Sequence, residues 1–426
     1  MICYCDHSFS ITDVSCAVTK LKHNKSDGRL GHSTDHIIYG TNKLCLYLSL
    51  LFTGMLRHGY IPNSMLISTM VPIPKNKKKS LNNSENYRAI SLSSILGKLL
   101  DLIILSKNSS VFNTSDYQFG FKKDHSTSLC TFVVNEVIQY YLNNSSDVFV
   151  MFLDASKAFD RVQYVKLFGL LRKKGLCPVL IKLLLFLYTK QMLCVKWGNC
   201  ISDYCTVSNG VKQGGVLSPI LFTVYFDELF EKLKLCGTGC FVGNKYMGSF
   251  GYADDCVLLS PTVSSLRHQL EVCDRFSTEF NVLFNPDKYQ LLHCSNHPKQ
   301  HLGIEYNGCF IKTCKSAMHL GNVLTSGNVT NASIDMSCAN FCVAVNSVLS
   351  LFPKAHSNVK YYLFHQFCMS LYGCVLWDLS SKYIETFYVK WRKAIRQLMR
   401  IPYTTHCRYL HLLCDTAPIK SQLLKQ

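Results

Sequence analysis

The chain has 426 residues, 48% hydrophobic and 17% charged, a balance that allows a large core and two or three domains and excludes a disordered or low-complexity protein. Lys and Arg number 45 against 27 Asp and Glu, a formal net charge of +18, so a polyanion is the expected macromolecular partner and nucleic acid suits it better than membrane. No run reaches eighteen uninterrupted apolar residues, since 44–55 contains Ser49, Thr53 and Gly54 and 179–195 carries Lys182 and Lys190; no membrane association is expected.

The opening MICYCDHSFSITDV shows no secretory signal, which points to an intracellular protein. The 22 cysteines are scattered singly and read as small buried hydrophobes, not as a disulfide framework or zinc ribbon. Residues 1–35 are polar and lack periodicity, and are expected to form a poorly ordered lead-in.

Helical periodicity runs from 41 to 58 and stops at Gly59 and Pro62. VPIPKNKKK, residues 71–79, reads as a short strand entering a cluster of Lys75, Lys77, Lys78 and Lys79, which serves either as a solvated loop or as a grip on phosphate. NYRAISLSSILGKLLDLIIL, residues 86–105, passes from an extended part carrying Arg88 into a helix capped by Ser93 or Ser94. QFGFKKDHSTS, residues 118–128, is a Gly- and charge-rich loop before an amphipathic helix over 129–142. In DVFVMFLDASKAFD, residues 147–160, the apolar run 148–153 predicts a buried central strand. Asp154 at its end either faces a ligand site or caps the following segment.

Helices over 167–175 and 179–188 and a strand pair over 192–207 follow. NGVKQGGVLSPILFTVYFDELF, residues 209–230, places Gly214 and Gly215 before Ser218, Pro219 and a helix; the glycines either admit a ligand closely or simply form the helix entry. FGYADDCVLLS, residues 250–260, sets Asp254 and Asp255 between two apolar arms. Burying two unpaired carboxylates costs several kcal/mol or more, so a tight turn between strands must carry them. By itself the turn is either an ordinary Asp-rich hairpin or a site for Mg²⁺, which prefers hard oxygen ligands.

A helix over 264–280 leads to FNPDKYQLLHC, a turn with Lys288 and then a strand, and His319, Leu320 and Gly321 lie in a further strand-like piece. From 333 the pattern is helical. WRKAIRQLMR spaces Arg392, Arg396 and Arg400 four apart, a stripe suited to a nucleic-acid backbone or to a solvated face.

Read in order, VPIPKNKKK, NYRAISLSSILGKLL, QFGF, FLDASKAFDRV, NGVKQGGVLSP, GYADD, FNPDK and HLG resemble the successive motifs of reverse transcriptases from non-LTR (LINE-type) retrotransposons, across residues 72–324. The resemblance implies an α+β right-hand polymerase with a palm sheet: fingers over 36–147, a palm with fingers insertions over 148–325 and a helical, thumb-like region over 326–426. It implies Asp154, Asp254 and Asp255 as catalytic ligands of two Mg²⁺ ions, with Mn²⁺ as a substitute, and Asp154 and Asp254 as the principal pair. Lys75, Arg88, Gln213 and Gly214 match residues around the incoming nucleotide. Phe159 matches a steric gate against the ribose 2′ hydroxyl, or is core; Lys288 matches a proton donor to pyrophosphate, or is a surface lysine. His319, Leu320 and Gly321 match the primer grip.

The implied reaction extends a DNA primer on an RNA template with dNTPs, in the nucleus and in a cytoplasmic ribonucleoprotein, with an endonuclease domain separate or missing. Ala89, where the family usually has Pro, and the polar stretch 124–127 depart from the pattern and leave the metal ligands untouched. The alternatives are a truncated, catalytically inactive RNA-binding remnant of such an element, and an RNA-dependent RNA polymerase, which would usually show Gly-Asp-Asp and a polar gate.

Overall fold

The computed structural model describes residues 7–27, 31–296, 303–327, 329–414 and 416–424. Its strands, in chain order, are β1 (Ile67–Pro74), β2 (Tyr87–Leu92), β3 (Val148–Ser156), β4 (Met192–Trp197), β5 (Cys200–Ile201), β6 (Cys205–Thr206), β7 (Phe241–Val242), β8 (Lys245–Tyr246), β9 (Ser249–Tyr252), β10 (Asp255–Ser260), β11 (Leu283–Phe284), β12 (Gln290–Cys294), β13 (Gly303–Tyr306), β14 (Cys309–Cys314), β15 (Ser316–His319) and β16 (Asn322–Thr325). The chain divides into two compact units. One comprises Met1–Phe121, Asp154–Cys236 and Leu270–Asn285; the other comprises Lys122–Leu153, Gly237–Gln269 and Pro286–Gln426. Both are discontinuous in sequence, so the linear division at 147 and 325 does not coincide with them.

In the first unit the supposed lead-in contains a helix, Ile11–Val18, closed by a capping box between Ser10 and Asp13, with Val14 and Ala17 buried. Eight residues are too few to show periodicity, which is why composition alone suggested no order there. The helix Asn42–His58 ends on Gly59 in the left-handed region, and Ser94 caps Ile95–Lys107 by accepting from the Gly97 amide. β1 pairs antiparallel with β2 and parallel with β4, and β4 also pairs antiparallel with β5 and β6. The helix Ser218–Leu235 buries Leu221, Phe222, Val224, Tyr225, Phe226, Leu229 and Phe230. Apolar contact on more than one face makes it an interior helix.

The second unit holds most of a sheet ordered β13-β14-β12-β3-β10-β9. Every residue of 148–153 in β3 is buried, as the apolar run predicts for a central strand, and β12 pairs with it antiparallel through Leu291↔Met151 and Leu292↔Val150. The last three residues of β3 belong to the first unit, where β11 pairs with Ala155 and Ser156.

The C-terminal helices have their own core. Ile334, Cys338, Phe341, Val345 and Val348 form a four-three spaced stripe on the helix Val329–Leu351 and cluster with Phe364, Phe387, Trp391 and Leu398. By length and composition alone Asn331–Leu351 could cross a membrane, which a search for uninterrupted apolar runs passes over because polar residues are interspersed. Its apolar stripe is occupied by this cluster. No disulfide joins cysteines among the described residues; Cys130, Cys194, Cys240 and Cys256 are buried, whereas Cys16, Cys200, Cys205, Cys309 and Cys407 are exposed.

Candidate active site

The register Asp255↔Tyr252 leaves Ala253 and Asp254 as a two-residue connection between β9 and β10. Ala253 is buried at φ 60°, a left-handed conformation that costs a residue with a Cβ about 1–2 kcal/mol. Burial of Phe250, Cys256, Val257, Leu258 and Leu259 holds the turn in that shape. Asp254 is half-buried and Asp255 exposed, so the arms are anchored while the carboxylates stay accessible. Burial, and after it the charge of Asp255, pushes the Cys130 thiol up to about 12, so it stays protonated beside the hairpin.

Asp154 follows Leu153 in β3 and is half-buried; its carbonyl accepts from the Asn285 amide at 3.1 Å. β3 and β10 are neighbours in the sheet; Asp154 belongs to the first unit, Asp254 and Asp255 to the second. Among the described residues no three His, Cys, Asp or Glu side chains gather closely enough to hold a metal ion. Carboxylates repel one another without cations, and Mg²⁺ in polymerase-type sites takes only one or two carboxylates plus substrate phosphate oxygens and water. Each of these carboxylates offers the hard anionic oxygens that Mg²⁺ prefers, without a preassembled cage among the described residues.

In the first unit, Arg88 on β2 lies opposite Ile73 of β1. Lys75, two residues beyond Ile73, shares that face by strand alternation, and both cations are exposed. The Lys75 amide donates to the Asn86 carbonyl at 2.6 Å and its ammonium to the Glu85 carbonyl at 2.9 Å. The Ser91 amide, further along β2, donates to the Gln213 carbonyl at 2.7 Å. Gly214 follows at φ 102°, where a Cβ would stand 2.9 Å from the Ser91 carbonyl oxygen and 3.3 Å from Ile90. Only glycine allows this approach. The Gln213-Gly214 loop is thus docked on the strand that carries Arg88.

Beneath the loop lies a polar cluster that the sequence reading missed. Lys212 donates to Ser68 Oγ at 2.9 Å, and Asp101 accepts from the Leu217 amide at 3.4 Å. Both line a cavity of about 20 Å³ with Ser93, Tyr188 and Ser218. Burial raises Asp101 to about 6 and lowers Lys212 to about 8, each opposed by the other's charge. The one sequence signal was a carboxylate inside the apolar stretch KLLDLIIL.

Phe159 is half-buried. Its carbonyl accepts from the Val211 amide at 2.8 Å, and its ring stacks on Phe222 with centroids 4.2 Å apart. In the second unit Lys288 is exposed at the end of the short turn Pro286–Lys288.

β15 and β16 pair through His319↔Asn322, leaving Leu320 and Gly321 as the turn, with φ 51° and 80°. Two consecutive left-handed residues mark a type I′ hairpin. The His319 side chain does not point out with the turn. It is 4% exposed, sits 3.3 Å from Thr131 Oγ1 through Nδ1, has its ring 5.4 Å from that of Phe152, and leaves Nε2 buried without a partner. Burial lowers its pKa to about 4. The tripeptide therefore offers a surface its turn backbone and Leu320, not an imidazole.

The three arginines do not form one helical stripe. The helix is Glu385–Met399, and Arg400 caps it in the left-handed region, off the helical spacing. Arg392 pairs with Glu385 at 2.7 Å, Arg396 donates through Nη2 and Nε to the Thr405 carbonyl at 2.8 and 3.3 Å, and Arg400 donates to the Pro353 carbonyl at 2.7 Å. Glu385 is on the same helix as Arg392, whereas the acceptors of Arg396 and Arg400 come from other chain segments, which spacing along one helix cannot reveal.

Residues 73–319, more than half of the chain, match the family described as reverse transcriptase (RNA-dependent DNA polymerase), and the chain belongs to that family. The α+β fold is accordingly of the right-hand polymerase class, whose reverse transcriptase members use divalent metal ions. Among its relatives are the RNA-directed DNA polymerase from the mobile element jockey of Drosophila funebris and the Pol polyprotein of the type-2 retrotransposable element R2DM of Drosophila melanogaster. The first is 28% identical over 330 residues, covering 74% of this chain and 35% of that protein; the second is 27% identical over 242 residues, covering 57% and 23%. The sequence resemblance to non-LTR retrotransposon enzymes agrees with these relatives, of whose length the chain spans about a third or less. A solved structure of apo telomerase from Candida tropicalis aligns at a TM-score of 0.40 and 12% identity, over 67% of this chain and 60% of that one.

Proposed function

We propose that the chain is the RNA-directed DNA polymerase segment of a non-LTR retrotransposon and extends a DNA primer on an RNA template. The observation that carries this reading is the family match over residues 73–319, supported by the hairpin that presents Asp254 and Asp255 between buried arms. Asp154, Asp254 and Asp255 would hold two Mg²⁺ ions, or Mn²⁺ in their place, which when bound activate the primer 3′ hydroxyl and neutralise charge on the triphosphate. Lys75 and Arg88, exposed on one face, bind the triphosphate by fixed charge. The Gln213-Gly214 loop orients the incoming nucleotide. Phe159, braced by Phe222, excludes a 2′ hydroxyl and so selects dNTPs.

Lys288 gives a proton to the leaving pyrophosphate, and the turn at Leu320 and Gly321 holds the primer end. The net charge of +18 favours the nucleic-acid partners. The endonuclease domain for strand nicking is separate or missing, and the site of action is the nucleus, with a cytoplasmic ribonucleoprotein stage. Primer extension on poly(rA) with oligo(dT), Mg²⁺ and dTTP, against a ribonucleotide control, tests the reading. Extension with dTTP is expected. Template binding without extension would instead identify an inactive RNA-binding remnant, and preferential ribonucleotide use would identify an RNA polymerase.

A further inference from the structure

The turn at Leu320 and Gly321 is held from outside its own hairpin. Tyr372 lies between the helix Ser357–Cys368 and the short turn Cys374–Leu376, and its phenol oxygen bonds the Leu320 carbonyl at 2.5 Å and Thr127 Oγ1 at 2.7 Å. A phenol carries one proton; because a carbonyl can only accept, Tyr372 donates to Leu320 and receives the Thr127 hydroxyl. Its ring also covers Gly321, where a Cβ would stand 3.1 Å from Tyr372 Cε1. Thr127 is the first residue of the helix Thr127–Asn143, which also supplies the Thr131 hydroxyl to His319. One side chain therefore ties the turn to the head of a helix already bonded to the turn's flanking residue.

The tether has a physical task. The first position of a type I′ turn favours Asn, Asp or Gly, and Leu320 occupies it at φ 51° against its own preference. Such a residue persists only where its surroundings overdetermine it. Tyr372 is 45% exposed, too open for a core-filling ring, and it borders a cavity of about 260 Å³ with Asn322, Asn340 and Phe367. It also lies within electrostatic reach of Tyr252, the last residue of β9 before the aspartate turn; burial, then Cys130, then Tyr372 raise the Tyr252 phenol.

We propose that Tyr372 is a positioning residue that fixes the turn at Leu320 and Gly321 in the conformation that receives the primer end. The inference rests on the reading of that turn as the primer contact. Tyr372→Phe keeps the ring and removes both bonds.

In the full chain, Tyr372→Phe is expected to raise the KM for primer–template roughly five- to thirtyfold, the scale of one or two lost hydrogen bonds. The KM for dTTP should stay unchanged, and the melting temperature should fall by no more than about a few degrees. Leu320→Asn creates Asn-Gly, which adopts two left-handed residues unaided. In that background Tyr372→Phe should cost no more than about twofold, a coupling read from the double-mutant cycle. An unchanged primer KM, an equal loss in both backgrounds, or a parallel rise in the dTTP KM would each overturn the proposal.

Hydrogen exchange over 316–325 separates this failure from failure of the polymerase reading. Faster exchange in Tyr372→Phe, with no extension by the unsubstituted chain, supports the tether and overturns the primer role together with the polymerase assignment. Unchanged exchange overturns the tether itself.

Discussion

Phe159 lies face to face with Phe222, ring centroids 4.2 Å apart and planes 15° from parallel. The ring that would meet a ribose is thus placed by a residue of the buried helix Ser218–Leu235. Phe159→Ala should raise ribonucleotide use relative to dNTPs roughly tenfold to hundredfold, the discrimination available to a single steric contact. Phe222→Ala should raise it by about two- to tenfold through lost stacking and, because Phe222 is fully buried, should also destabilise the fold by about 3–5 kcal/mol. Competitive incorporation of dTTP and UTP measures both. Unchanged selectivity in Phe159→Ala would return that residue to the core.

Asp154→Asn and Asp254→Asn should each lower dNTP incorporation by at least about a thousandfold, because a divalent ion loses an anionic ligand where charge develops. RNA binding should persist, since neither substitution removes a cation. Single-turnover extension and filter binding check the two halves; full activity in either variant is incompatible with the assignment.

At Gly214 the expected defect comes from the backbone. A Cβ would press on the Ser91 carbonyl at 2.9 Å in a conformation that disfavours alanine. Gly214→Ala should displace the loop at a cost of about 1–3 kcal/mol, seen as a raised KM for dNTP with primer–template affinity unchanged.

His319 predicts a pH dependence of stability. Its pKa falls from 6.5 to about 4 on folding because burial penalises the imidazolium. Between these values the unfolded chain binds the extra proton, so the contribution is complete above pH 6.5 and is lost as pH falls toward 4. The amount is on the order of 3 kcal/mol. Urea midpoints at pH 7 and 4.5 should differ less in His319→Gln than in the unsubstituted chain.

Arg396 donates twice to the Thr405 carbonyl and is a structural residue on that ground. Arg396→Ala should destabilise the C-terminal helices by about 1–3 kcal/mol, while the salt dependence of RNA binding, which counts phosphate contacts, stays the same. A slope shallower by about one unit would restore its phosphate role.

Much of this was legible in the sequence because it is written in short-range pattern. The run 148–153 is apolar at every position and became the central strand β3; Ser94 stood where a helix needed a cap; two aspartates between apolar arms required a hairpin. Family motifs then gave those pieces a chemistry. What misled was side-chain direction. His319 and Arg396 match expected roles by position, but their side chains turn toward Thr131 and the Thr405 carbonyl, partners 188 and 9 residues away. The Asp101 and Lys212 cluster was missed because its members come from separate segments.

The sequence by itself determined many of the strands and helices, which depend on neighbours a few residues apart, and, through the order of its motifs, the carboxylate chemistry. Only the tertiary structure decided that β10 lies beside β3, that the Gln213-Gly214 loop docks on the strand of Arg88, and that Tyr372 reaches back to Leu320. Those pairings are set by which surfaces can be buried together and which buried polar groups find partners, and periodicity along the chain carries no record of either.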